Sequence, residues 1–281
     1  MTTLPQNATL TRFQSTSLTL LRWVLALSAL FEATRAFLLL AAQPYFFELT
    51  LRPLLDPIIT RQYGLFSIPA ALFYGLLVVN PVLYSRFLWI AIGQRVLEIF
   101  LVLRDPFYVT LPFAHQALVI APSVAFLLLL LALHPRWRYR SSPTPLIKTD
   151  VPAAALPLRR LMLFFGSFQL FWAGASIIYL QLGAELIDYP ITDIFITQQQ
   201  GVAVFIIAAT SLMVASHVTR YRTLAWVAIT SQGLGVLNSA YESSVGTITL
   251  YQAGVQWAIQ ALIIGAFAYA YYKVPADPIN T

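Results

Sequence analysis

The chain has no cysteine among its 281 residues, which removes disulfides, cysteine-ligated zinc, iron–sulfur clusters and thiol redox relays together. Histidine is nearly as scarce. His115, His134 and His217 each fall near the end of an apolar segment, so no pair is placed to hold a haem between helices, and no metal site is expected. Charge is the third scarcity: 10% of residues are Asp, Glu, Lys or Arg, against about a quarter in a soluble domain. A Gly-Lys-Ser/Thr phosphate loop, a His-Glu-x-x-His pair and a Gly-x-Ser-x-Gly elbow are also missing, and with them the common signatures of nucleotide, zinc-protease and serine-hydrolase chemistry.

What the chain has is apolar surface. Hydrophobic residues make up 59% of it, enough for about eight bilayer crossings at about 20 residues each. Apolar stretches lie at about 18–41, 64–83, 86–104, 113–133, 158–181, 201–217, 222–240 and 248–272. An isolated segment in hydrocarbon must satisfy its own backbone hydrogen bonds, and the alternation of barrel strands is absent, so all should be helices. The expected fold is therefore all-α, a polytopic integral membrane protein with about eight transmembrane helices. The first stretch ends in a run, Leu39 to Ala42, that resembles a signal-peptide cleavage site. Its length and its internal Glu32 and Arg35 make it an anchor instead.

Basic residues near span ends stay on the cytoplasmic side. With the N-terminus inside, twelve of the 17 Lys and Arg residues are cytoplasmic, while the outer segments hold Arg52, Arg61 and Arg104 against seven acids. The positive net charge is a topology signal, and nucleic-acid binding is not needed to explain it. The stretch from His134 to Arg140 mixes cations with aromatics, which suits a stop-transfer anchor or contact with anionic headgroups.

The chain also repeats itself. Shifted by 137 residues, 48–64 aligns with 185–201 at eight of 17 positions, and Tyr84 meets Tyr221, Trp89 meets Trp226. Two copies of a four-span unit follow, at 18–133 and 158–272, with a cytoplasmic tail at 1–17, a basic linker at 134–157 and a second tail at 273–281. An even number of spans per unit makes the repeats parallel, with their axis along the membrane normal. The recurrent outer segment carries Glu48, Asp56 and Gln62 in the first copy and Glu185, Asp193 and Gln199 in the second. It reads as a loop with a short interfacial helix: either a polar lid over a site, or, the favoured alternative, caps for helix ends through the Asp pair or Thr60 and Thr197.

Four charges lie deep in apolar helices: Glu32 and Arg35 in the first span, Arg95 and Glu98 in the third. Spacing of three puts each pair on one helix face, and parallel spans bring Glu32 to the depth of Arg95 and Arg35 to that of Glu98. Each charge costs about 2.5–3.5 kcal/mol at mid-membrane, so the four should face one another. At the repeat offset Glu32 becomes Gln169 and Arg95 becomes Gln232, an amide pair, while Arg35 becomes Trp172 and Glu98 becomes Gly235. The charges serve either as a register-fixing contact or as a site for a polar ligand or protons, and the pattern leaves both open. In the last span Gln252, Gln256 and Gln260, with Asn238 opposite, line either a helix contact or a neutral polar cavity.

The four-span unit, with its acidic outer segment leading into Gln62-Tyr63-Gly64 and Gln199-Gln200-Gly201, resembles the DoxX-like group of small bacterial membrane proteins, here in tandem. The resemblance implies an accessory or ligand-binding membrane subunit associated with redox systems, and carries no catalytic residue across. The expected function is thus a non-catalytic protein of the bacterial inner membrane with both termini cytoplasmic. It would hold a lipid-like or quinone-like molecule, or dock a membrane complex or further copies of itself. A transporter of parallel repeats is the alternative, and an enzyme ranks third.

Overall fold

The computed structural model describes residues 12–49, 53–104, 113–135, 151–180 and 192–274. Among the described residues there is helix and no strand. The long helices are α1 (Arg12–Ala41), α2 (Pro57–Val79), α3 (Leu88–Arg104), α4 (Phe113–Leu133), α5 (Leu156–Ile177), α6 (Ile194–Ser216), α7 (Ala225–Ser244) and α8 (Leu250–Lys273). A short helix, Gln43–Leu49, follows α1. Most of the basic linker, Glu185 and the ends of the chain lie outside the described residues.

Four segments are long and apolar enough to cross a membrane: Thr16–Ala41, Pro57–Val79, Ile194–Ser216 and Leu250–Lys273, with a shorter apolar helix at Ile120–Leu133. The outward face of α1 fits that environment. Leu20, Trp23, Leu27, Leu30 and Phe37 recur at helical spacing and are all at least half exposed, a stripe that water would penalise and lipid tolerates. The chain is a helical membrane protein.

Two helices begin seven residues earlier than hydropathy places them. Asp56 is the N-cap of α2 and accepts from the Ile58 and Ile59 amides at 3.1 and 3.0 Å. Asp193 caps α6 by accepting from Ile196 at 3.0 Å. The carboxylate supplies acceptors that the free first-turn N–H groups lack and favours the positive end of the helix dipole, so helix starts at the cap. The second half of the recurrent motif is accordingly the first turns of a long helix, not the loop expected. At its other end α2 stops at Asn80, because the following residue, Pro81, has no N–H to continue the ladder.

Packing follows a regular plan. The closest helix pairs are α1 with α2 and α5 with α6; α3 packs on α4, and α7 on α8. Helices α2 and α6 meet in the middle, and each also touches the third helix of the other half, α2 with α7 and α6 with α3. Glycine permits the tightest approaches. A Cβ on Gly64 would lie 2.9 Å from Leu39 Cβ, and one on Gly201 would lie 2.8 Å from Ser176 Cβ. These two contacts are offset by the same 137 residues. At one end of the bundle Tyr84 and Tyr221 pack ring to ring at 6.3 Å. At the other, Thr192 donates to Asp56 at 2.9 Å. The α6 helix is the most enclosed of the four apolar spans and α8 the least.

Candidate functional site

The four buried charges form a closed ring between α1 and α3. Arg95 reaches Glu32 at 2.9 Å and Glu98 at 2.7 Å, and Arg35 reaches Glu98 at 3.0 Å and Glu32 at 3.2 Å. Both cross-helix pairs have the partners that equal depth predicts, and the three-residue spacing adds the two contacts along each helix. Two guanidinium groups and two carboxylates sum to zero charge, which is what makes four ions tolerable in low dielectric. Glu32, Arg95 and Glu98 are almost completely buried, and Arg35 forms the rim.

Neutral groups complete the ring. Gln94 donates to Glu32 at 2.8 Å and to Glu98 at 3.1 Å, spending both amide hydrogens, while its carbonyl accepts from Tyr74 at 2.6 Å. Ser123 of α4 donates to Glu98 at 2.8 Å, and Arg35 donates to the Tyr63 hydroxyl at 2.7 Å. Glu98 thus accepts four bonds, the full capacity of a carboxylate. Phe31 lies 4.7 Å from the Arg35 guanidinium and Phe126 lies 5.2 Å from that of Arg95, with the two rings packed edge to face at 5.9 Å, so the delocalised cations sit against aromatic rings. All four helices of the first half contribute. Gln94, Tyr63, Tyr74 and Ser123 escape sequence reasoning; only Gln94 leaves a trace, four residues before Glu98 on the same helix face.

The second half is built differently at the same places. Gln169 is buried and Gln232 half-buried, yet among the described residues no hydrogen bond joins them, so the expected amide pair does not form. In place of the Glu98 carboxylate, the Gln260 amide of α8 fills the space over Gly235. The carbonyl oxygens of Gln260 and Asn238 and the Trp257 indole N–H are buried without a hydrogen-bond partner. Helix α8 touches α5 only lightly, and Gln252 and Gln256 face outward, which leaves this half less closed.

Of the outer-segment residues, Asp56 and Asp193 are helix caps, the favoured alternative. Glu48 is exposed on the short helix after α1. Gln62 accepts from Gln200 of α6 at 3.1 Å and donates to Glu242 of α7 at 3.4 Å, tying the halves together. Gln199 is buried with its amide nitrogen unpaired. His217 lies 3.3 Å from the Arg86 guanidinium, and His134 packs on Trp89 at 4.9 Å. Among the described residues no group of three His, Asp or Glu is placed to hold a metal ion. No family model matches the chain, and neither the curated proteins nor the solved structures yield a match.

Proposed function

We propose that the chain is a non-catalytic membrane protein of eight spans in two parallel four-helix repeats, serving as an accessory subunit or as the binder of a lipid-like or quinone-like molecule. The observation that carries this reading is the contrast between the halves. In the first, the ionisable groups of the core are spent on one another and on Gln94, Tyr63 and Ser123, with Arg95 Nε left over, which suits a lock on helix register rather than acid–base work. In the second, buried carbonyl and N–H groups stay unpaired, each costing about 1–3 kcal/mol unless a partner arrives. A ligand or a docked subunit would supply that partner.

Several contacts support the repeat. Helix pairs recur in the same order in both halves, Gly64 and Gly201 make offset-matched contacts, and Tyr84 meets its counterpart Tyr221. Asp56 and the segment before Asp193 meet at one end, as parallel repeats require. The charge asymmetry of the sequence supports cytoplasmic termini and an inner-membrane location. The likeness to the DoxX-like group adds the redox-associated accessory role by analogy.

The test is native mass spectrometry of the protein extracted in mild detergent. A retained small molecule or partner subunit is the expected result. A bare monomer that moves solute across liposomes would replace this reading with a transporter.

A further inference from the structure

A cleft of about 310 Å³ opens between the end of α1, the first turns of α2 and the last turns of α7, lined by Leu40, Arg61, Leu65, Leu237, Asn238 and Tyr241. Two of these residues carry unused polar capacity. The Arg61 guanidinium carbon lies over the Tyr241 ring, 3.6 Å from its centroid, and no carboxylate among the described residues pairs with it. Asn238 donates one amide hydrogen to Glu242 at 2.8 Å, and its carbonyl oxygen is left buried without a donor. Leu237 is 62% exposed, so the cleft is open sideways, toward the lipid.

The place related to it by the 137-residue offset is filled. There Leu101, Ile177 and Val202, the counterparts of Asn238, Leu40 and Leu65, pack as a closed apolar cluster. Gln198, the counterpart of Arg61, is buried and donates to the Ile177 carbonyl at 3.4 Å. One backbone plan therefore gives a sealed contact on one side and, with a cation and an amide exchanged in, an open cleft on the other.

We infer that this cleft binds an anionic phospholipid with a hydroxylated head, its phosphate on Arg61, a head hydroxyl donating to Asn238 and an acyl chain against Leu40, Leu65 and Leu237. The inference rests on the ligand-binding reading above and gives it a place. Stacking on Tyr241 covers one face of the guanidinium and leaves its in-plane N–H groups free for bidentate contact with phosphate. Arg61 is the fifth residue of α2, about 6 Å from the helix start at 1.5 Å per residue, the depth of a headgroup rather than of the hydrocarbon centre. Tyr241, apolar in body and polar at its tip, suits the same level.

The full chain is placed in nanodiscs of mixed phosphatidylcholine and phosphatidylglycerol, and the lipids it retains on release are counted by native mass spectrometry. Wild type should keep phosphatidylglycerol in preference to phosphatidylcholine. Arg61→Gln and Asn238→Leu copy the residues at the sealed position, and each should weaken that retention about tenfold, equivalent to about 1.4 kcal/mol. Asn238→Leu adds no buried charge and keeps the test valid should Arg61→Gln fail to fold. Equal retention of both lipids, or undiminished phosphatidylglycerol on a folded variant, overturns the inference. A lipid or quinone that stays bound through both substitutions leaves the binder reading standing and moves the site; a wild type bare in every mixture ends both.

Discussion

Gln260 of α8 carries its amide into the space over Gly235 of α7, where the first half of the chain has Glu98. A Cβ at position 235 would meet only the end of that flexible side chain, whereas a Cβ at Gly201 would meet Ser176 Cβ and Ile177 Cγ1 at 2.8 Å and the Ala173 carbonyl oxygen at 3.3 Å. Gly235→Ala should therefore melt within about 0.5 kcal/mol of wild type, and Gly201→Ala should lose about 1–3 kcal/mol through overpacking. Thermal melts of the two variants in one detergent check the order.

The charge ring gives a sharper contrast. Arg95→Ala strands Glu32 and Glu98 with only Arg35 to balance them, and should cost about 3–5 kcal/mol. Glu32→Gln combined with Arg95→Gln removes one charge of each sign and leaves Arg35 with Glu98. That double variant should be more stable than Arg95→Ala alone. If it melts no higher, the ring is not held by the pairing of Glu32 with Arg95.

Ser123 tests how much the neutral shell contributes. Its hydroxyl donates to Glu98 from the fourth helix, and Ser123→Ala should cost about 1.5 kcal/mol, the range of a hydrogen bond to a charged group. A loss below about 0.5 kcal/mol would show that the ring needs no help from α4.

The caps separate two readings of the recurrent segment. Asp56→Ala should cost about 1 kcal/mol as a lost N-cap, with the Thr192 bond between the halves lost as well. Glu48→Ala, at an equally recurrent but exposed position, should leave the melt within about 0.5 kcal/mol of wild type. Equal losses at both would restore a role for Glu48.

Topology is open to direct labelling, because the chain has no cysteine to give a background. A single cysteine at Ser142 should react with an impermeant thiol reagent only from the cytoplasm, and one at Thr192 only from outside, as the basic-residue asymmetry requires. Reaction of both from one side would refute the eight-span orientation.

Composition and periodicity were enough to determine the class of molecule, a helical membrane protein, because burial in lipid demands continuous apolar helix and that demand is written locally. The partners of Glu32 and Arg35 were legible too, since four charges in hydrocarbon have few ways to neutralise one another at matched depth. Hydropathy missed the starts of α2 and α6, because its window cannot register a single capping carboxylate such as Asp56, although the recurrence of Asp56 and Asp193 had marked both as candidate caps. Tyr63, Tyr74 and Ser123 were beyond reach for another reason: a polar or aromatic residue in a span looks the same whether it closes a hydrogen-bond ring or faces a headgroup. Only the tertiary structure brought Arg61 onto Tyr241, 180 positions away in the sequence, and left Asn238 open where Leu101 is sealed. Both depend on how two halves pack against each other, and no local pattern in either half encodes that contact.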